Sequence, residues 1–382
     1  MRRPGGARRR PDPRTDAMAA SGIFEATVRH FLAPIMPFMA DPAVAEIMIN
    51  RADEIFVERD GRIQKTDARF ADDEALLTAV RNVLQYTGKR LDPQNPLIDS
   101  RLPDGSRVHV ILPPLSRGGT CVTIRKFAKA MFDADHLVRI GTWTQQAADY
   151  LRVCVLAEKN VLVGGGTSSG KTCLLNVLSN FIPHGQRIVV IEDSAELELQ
   201  QEHLLGLETR PPDRWGRGAV AISDLYRSSL RLRPDRIIIG EVRGGEALDM
   251  IQAMTSGHAG SMSTLHANTA ADALARLETL AMMSEIKLPL HALRSQIASA
   301  IDVVVVMTRM TDGNRRLTQI AEVLPLDDDG HYRLQEMFRY EPATLGRGEH
   351  LICRGVRSSF ADEPKVRALA DQWGLAEEVL RT

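Results

Sequence analysis

The residues Gly165-Gly166-Thr167-Ser168-Ser169-Gly170-Lys171-Thr172 constrain this chain more than any other stretch, because they satisfy G-x-x-x-x-G-K-[ST] directly behind the run Asn160-Val161-Leu162-Val163. A strand that feeds such a turn and then a helix, here opened by Cys173-Leu174-Leu175, reads as a phosphate loop. The residue types give the chemistry. Glycines let backbone N–H groups turn inward around an anion, the Lys171 ammonium can reach the β- and γ-phosphates, and the Thr172 hydroxyl can ligate Mg²⁺. The N-terminus of the following helix adds unpaired amides and the positive end of its dipole. Gly165 through Thr172, with Cys173 behind them, are therefore the expected binding residues for ATP, and Mg²⁺ is the expected metal.

Composition narrows what surrounds this loop. A chain of 382 residues, 44% hydrophobic and 25% charged, can bury two cores. With 48 Lys and Arg against 49 Asp and Glu there is no global field to attract nucleic acid or membrane, and no sequence-specific nucleic-acid binding is expected. The exception is residues 1–17, where Arg2, Arg3, Arg8, Arg9, Arg10 and Arg14 lie among Pro and Gly with no signal-peptide core behind them; this reads as a disordered basic tail. Apolar runs such as 301–307 are far too short to cross a bilayer. Cys121, Cys154, Cys173 and Cys353 lack metal spacing, which suits reduced thiols and no zinc.

Residues 18–128 read as a small α+β domain. Short strands lie at 47–49 and 55–57, with the turn Asp60-Gly61 leading to a partner that begins at Ile63. A helix capped by Asp72 presents Leu76, Leu77, Val80, Val83 and Leu84 on one face. Alternating pairs at Val108, Val110, Leu112 and at Val122, Ile124 give further strands, one beside the turn Asp104-Gly105. Residues 129–145 lack a sustained period and read as a linker. In 146–345, the runs 188–191, 237–239 and 303–306 look like buried parallel strands, with hairpins expected between Leu317 and Tyr340. Residues 346–382 read as a C-terminal extension whose helix carries Val366, Leu369, Ala370 and Trp373.

A phosphate loop needs groups that position water and manage Mg²⁺ at neighbouring strand ends. Two apolar strands end in acids: Ile188–Ile191 runs into Glu192-Asp193 with Glu196 nearby, and Ile237–Ile239 runs through Gly240 into Glu241. The segment 255–268 adds His258 and His266, the latter behind a short strand-like run where it could sense a γ-phosphate.

Taken in order, GGTSSGKT, VIEDSAEL and LRLRPDRIIIGEVRGGEALDMIQAMTSGHAGSMSTLHAN resemble the Walker A, Asp box, Walker B and His box of the type II/type IV secretion ATPases. Within that superfamily, DPAVAEIMIN, RLPDGSRVHVILPP, TIRKF and LETRPP are most similar to the CpaF-type ATPases of Tad/Flp pilus assembly. The resemblance spans roughly 40–340. It implies a RecA-like α/β motor preceded by the smaller α+β domain. It further implies a homohexamer at the cytoplasmic side of the inner membrane, docked on polytopic platform proteins, with conjugation or effector secretion as the neighbouring alternative and a nucleotide-gated scaffold as a more distant one. It implies that Glu192 polarises the attacking water, that Glu241 supports Mg²⁺ and water, that His266 reports nucleotide state, and that Arg101, Arg107 and Arg125 close over the phosphates.

Overall fold

In a computed structural model, residues 29–86, 91, 95–102, 104–126, 132–212, 215–341 and 350–372 are described. The basic tail and Trp373 lie outside them. The chain divides into two compact units, 1–130 and 131–382.

The first unit is built on strands β1 (Val44–Arg51), β2 (Glu54–Arg59), β3 (Arg62–Lys65), β4 (Leu97–Arg101), β5 (Arg107–Ile111) and β6 (Cys121–Arg125). Every pairing is antiparallel, in the order β3-β2-β1-β6-β5-β4. The β2–β3 turn places Asp60 at φ 48° and Gly61 at φ 75°, the mirror-image turn whose twist matches a two-residue hairpin. One sheet face packs Ile47, Ile49, Val108, Val110, Val122 and Ile124 against the helix Asp73–Tyr86 through Leu76, Val80, Val83 and Leu84. Asp72 caps that helix by accepting the Ala75 N–H at 2.7 Å. Asp73 reaches across to the Thr120 amide at 2.8 Å and its hydroxyl at 3.1 Å, pinning the loop before β6.

The second unit holds β7 (Val161–Gly165), β8 (Ile188–Glu192), β9 (Leu204–Glu208), β10 (Arg236–Ile239), β11 (Met262–Leu265), β12 (Val303–Arg309), β13 (Arg315–Leu324), β14 (Arg333–Glu341) and β15 (His350–Cys353). They form one sheet in the order β15-β14-β13-β12-β7-β11-β10-β8-β9. From β12 to β9 the pairings are parallel, and β13 to β15 add an antiparallel flank. Parallel strands are covered on both faces, which is why these segments read as unbroken apolar runs. Val161 and Val163 enter one core, Leu162 the other; Val303 and Val305 divide from Val304 and Val306 in the same way. Asn160 fastens the start of β7 to both neighbours: its amide donates to Asp302 Oδ2 at 2.7 Å, its side chain donates to the Ala300 carbonyl at 2.7 Å, and its Oδ1 accepts the Ser261 N–H at 3.0 Å.

Two expectations are corrected. Residues 132–145, read as part of a linker, belong to the second unit's core: the helix Ala134–Arg139, capped by Asp133, buries Ala134 and Leu137, and the buried Trp143 indole donates to the Ala134 carbonyl at 3.1 Å. A six-residue helix is too short to show a period. The C-terminal part is likewise no appendage within the described residues. β15 extends the sheet beside β14, and the helix Pro364–Gln372 buries Val366 and Ala370 in the core that also holds Tyr150 and Leu151. Glu322, fully buried on β13, anchors it by accepting hydrogen bonds from the Tyr150 and Ser358 hydroxyls and the Ser359 amide. No helix among the described residues is long and apolar enough to cross a membrane.

Candidate nucleotide site

The parallel sheet gathers the candidate groups at one edge. β7, β11, β10 and β8 are consecutive neighbours, and at their C-terminal ends stand, in turn, the phosphate loop, His266, Gly240-Glu241 and Glu192. Loops at the carboxyl ends of parallel strands are where open α/β sheets bind ligands.

The loop's shape follows from its small residues. A side chain on Gly165 would lie 2.4 Å from Ser169 Oγ and 2.6 Å from the Met307 carbonyl, so only glycine fits there. Gly170 opens the helix Lys171–Ser179 at φ 97°, and Ser168 also sits in the left-handed region, at φ 57°. Lys171 is buried, and its ammonium donates to the carbonyls of Gly165 at 2.9 Å and Gly166 at 3.0 Å, curled over the loop that would cradle phosphate. Ser169 Oγ is buried without a hydrogen-bond partner, an orphan donor that an anion would satisfy. Burial pushes the Cys173 thiol up to about 11, against the pull of Arg315, so it stays protonated and offers no thiolate.

The acids take two parts. Glu192 is buried, and its Oε1 accepts the amides of Glu196 at 2.9 Å and Leu197 at 3.1 Å. Its side chain passes over Gly240, where a Cβ would come within 2.9 Å of Glu192 Cγ. This carboxylate shapes the turn that brings Glu196 Oε2 to 3.4 Å from the Thr172 hydroxyl. Mg²⁺ keeps several waters and takes few protein ligands besides substrate phosphates, so a hydroxyl flanked by a carboxylate fits it. Bound there, it would supply charge neutralisation, held by Thr172 with Glu196 behind it.

Glu241 stands between two basic groups. Arg243 clamps its Oε2 through Nε at 2.9 Å and Nη2 at 2.5 Å, and reaches Asp193 Oδ2 at 3.6 Å through Nη1. His266 Nε2 lies 2.8 Å from Glu241 Oε1. That oxygen takes no well-aligned hydrogen bond, so the imidazole is poised beside it rather than bonded to it. Burial, reinforced by the Lys171 ammonium, draws His266 below the ordinary histidine range despite Glu241, which keeps the ring neutral at pH 7.

His258 is a correction. It precedes β11, whereas the loop follows β7, and Met262 pairs with Val161 at the start of both strands. The strand rise of about 3.3 Å per residue puts His258 at the opposite edge of the sheet from the phosphates. There its carbonyl accepts the Ser261 hydroxyl at 2.8 Å within a turn bounded by Gly257 and Gly260.

The three arginines of the first unit form a row. Arg101 pairs with Arg107 across β4 and β5, Arg107 with Arg125 across β5 and β6, and Arg125 with Glu46 on β1. Burial raises the Glu46 carboxyl, against the pull of Arg125. Sequence reasoning gave no role to Arg243 or Arg315 and named Glu196 only as a neighbour. The tract Glu241-Val242-Arg243 carried the signal for Arg243, since a guanidinium two residues beyond an acid can turn back on it.

The family described as "Type II/IV secretion system protein" matches residues 29–339. The chain belongs to this family. Among its relatives, the type IV secretion system protein PtlH of Bordetella pertussis is 37% identical over 322 residues, covering 76% of this chain and 94% of PtlH. The putative conjugal transfer protein Rv3659c of Mycobacterium tuberculosis is 34% identical over 291 residues, 75% of this chain and 82% of that one. In fold the chain is similar to the Legionella pneumophila ATPase DotB, with a TM-score of 0.53 at 19% identity, covering 78% of this chain and 80% of DotB. Family membership agrees with a secretion-type ATPase; the relatives' names point to conjugal transfer and type IV secretion rather than to the Tad branch in particular.

Proposed function

We propose that this chain hydrolyses ATP, with Mg²⁺, as a homohexameric motor docked on platform proteins at the cytoplasmic face of the inner membrane, where it powers assembly of a Tad/Flp-type pilus. The observation that carries the hydrolysis is the meeting of Lys171, Thr172, Glu196, Glu241 and His266 at the ends of adjacent parallel strands. Phosphoryl transfer needs positioning and charge stabilisation more than covalent help, and these residues offer both. Lys171 leaves its two carbonyl partners for phosphate oxygens. Glu241, flanked by His266 and Arg243, orients the attacking water. Glu192 acts through the turn that carries Glu196, a positioning part in place of the water-polarising one the resemblance implies. The resemblance assigns Arg101, Arg107 and Arg125 to the phosphates, and substituting them tests that assignment.

Phosphate release from the purified chain with ATP and Mg²⁺ tests the reaction, and a chain that binds ATP without turnover would be the scaffold instead. Light scattering with a non-hydrolysable ATP analogue should show hexamers; monomer alone at micromolar concentration counts against the ring. The second reading, a conjugation or effector-secretion motor, is favoured by the names of PtlH and Rv3659c. Deleting the gene separates the two: loss of surface filaments supports the pilus, and loss of mating or effector export with filaments intact supports the rival.

A further inference from the structure

Where β13 begins, the hairpin that joins it to β12 reaches the phosphate loop with a charged side chain. Arg315, the first residue of β13, donates from Nε to the Ser168 carbonyl at 3.1 Å. Its alkyl stem lies over Gly170, with Cδ 3.3 Å from where a Cβ would stand. One side chain therefore covers both left-handed residues of the loop, Ser168 at φ 57° and Gly170 at φ 97°. Gly170 adopts that conformation without cost. Ser168 does not, because its Cβ crowds the following carbonyl.

Arg315 is also in a position that strand pairing alone disfavours. Its cross-strand partner is Arg309, and like charges directly opposite each other destabilise an antiparallel pair. The Ser168 carbonyl is an acceptor that the geometry supplies to the Arg315 guanidinium.

We propose that Arg315 is a positioning residue for the phosphate loop: by holding the Ser168 carbonyl it keeps this non-glycine residue left-handed, so that the loop amides stay turned toward the phosphates. The role rests on the ATPase reading of the site. It explains how the loop tolerates serine at a position where glycine would be free of strain. The guanidinium binds the outside of the loop, and its effect on nucleotide is indirect.

A double-mutant cycle in the full chain tests this, because replacing Ser168 by glycine removes the strain that Arg315 is assigned to hold. A fluorescent ADP analogue reads affinity, and phosphate release reads KM and kcat. Arg315→Ala should weaken ADP-analogue binding and raise the KM for ATP by about tenfold, on the order of the cost of one left-handed L-residue, with kcat changed much less. In the Ser168→Gly background the same substitution should change affinity by less than about twofold, well under that left-handed cost. Arg315→Lys, which keeps a donor, should recover part of the loss.

Equal losses in both backgrounds would mean that Arg315 touches the nucleotide itself and would overturn the positioning role. So would wild-type affinity in Arg315→Ala. Hydrogen exchange of the 165–170 amides without nucleotide gives an arm independent of turnover. Faster exchange in Arg315→Ala supports the proposal even if the chain hydrolyses nothing, unchanged exchange refutes it, and thermal melting confirms that each variant is folded.

Discussion

The two units handle charge in opposite ways. At the edge of the parallel sheet the charges described have counterparts within the unit: Glu241 and Asp193 have Arg243, and Lys171 has two carbonyls. Across β4, β5 and β6 of the other unit, Arg101, Arg107 and Arg125 stand in cross-strand register, and Glu46 on β1 continues the row. A site whose charges are already compensated can stay folded while empty. In the first unit, by contrast, strand register sets three guanidiniums side by side, the arrangement that like-charge opposition disfavours.

The largest effect that can break this contrast is Lys171→Ala. It removes the ammonium that serves the β- and γ-phosphates and should bring hydrolysis below detection in a steady-state phosphate assay. Persistence of wild-type turnover would take the phosphate loop out of the reaction. Glu241→Gln keeps the shape and loses the charge, so ATP binding should survive while turnover falls by about 10²-fold, the scale of losing one key electrostatic group. Measuring affinity and rate on the same sample separates the two.

Arg107→Ala sharpens the comparison, since function should move while stability hardly does. Turnover should fall roughly tenfold, about the scale of one charge-assisted contact, while the melting temperature changes by much less than the loss of a structural residue would cause. A drop in both would make Arg107 an ordinary structural residue. Arg125→Ala should lower turnover similarly, yet it also strips Glu46 of its partner and should not gain stability.

The smallest effect concerns pH. His266 binds its proton less readily in the folded chain than when unfolded. Its neutral form therefore contributes stability that is present above the ordinary histidine pKa of about 6.5 and is lost as pH falls from there through the lower folded-state pKa. The acid limb of the rate profile should sit below the ordinary histidine range and shift in His266→Gln. An acid limb unmoved by that substitution would assign it to another group.

How much of this was legible in the sequence depended on which physical rule wrote each part. The strands β7, β8, β10 and β12 announce themselves because burial on both faces forbids polar residues, and the acids behind β8 and β10 follow from chain order. β9, Leu-Leu-Gly-Leu-Glu at the sheet's edge, alternates between exposed and half-buried residues and gives no such run. The arginine row was invisible as a row, because it depends on the register of two hairpins, which sequence spacing does not set. His258 misled for a related reason. Small residues around a histidine look alike at either end of a strand, and only the direction of β11 tells them apart. Arg315 lies 147 positions from Ser168, beyond the reach of any local motif.

The placing of β7 also bears on how the chain comes to exist. Its neighbours are residues 262–265 on one side and 303–307 on the other, and the staple from Asn160 closes on Asp302, 142 positions later. During synthesis at about 5–20 residues per second, the strand that carries the phosphate loop waits roughly 7–28 seconds for the second of these partners. Until then it is an apolar strand with an open edge, a liability that natural chains leave to chaperones. Competence to bind nucleotide is thus a late acquisition, reached only when most of the second unit has left the ribosome.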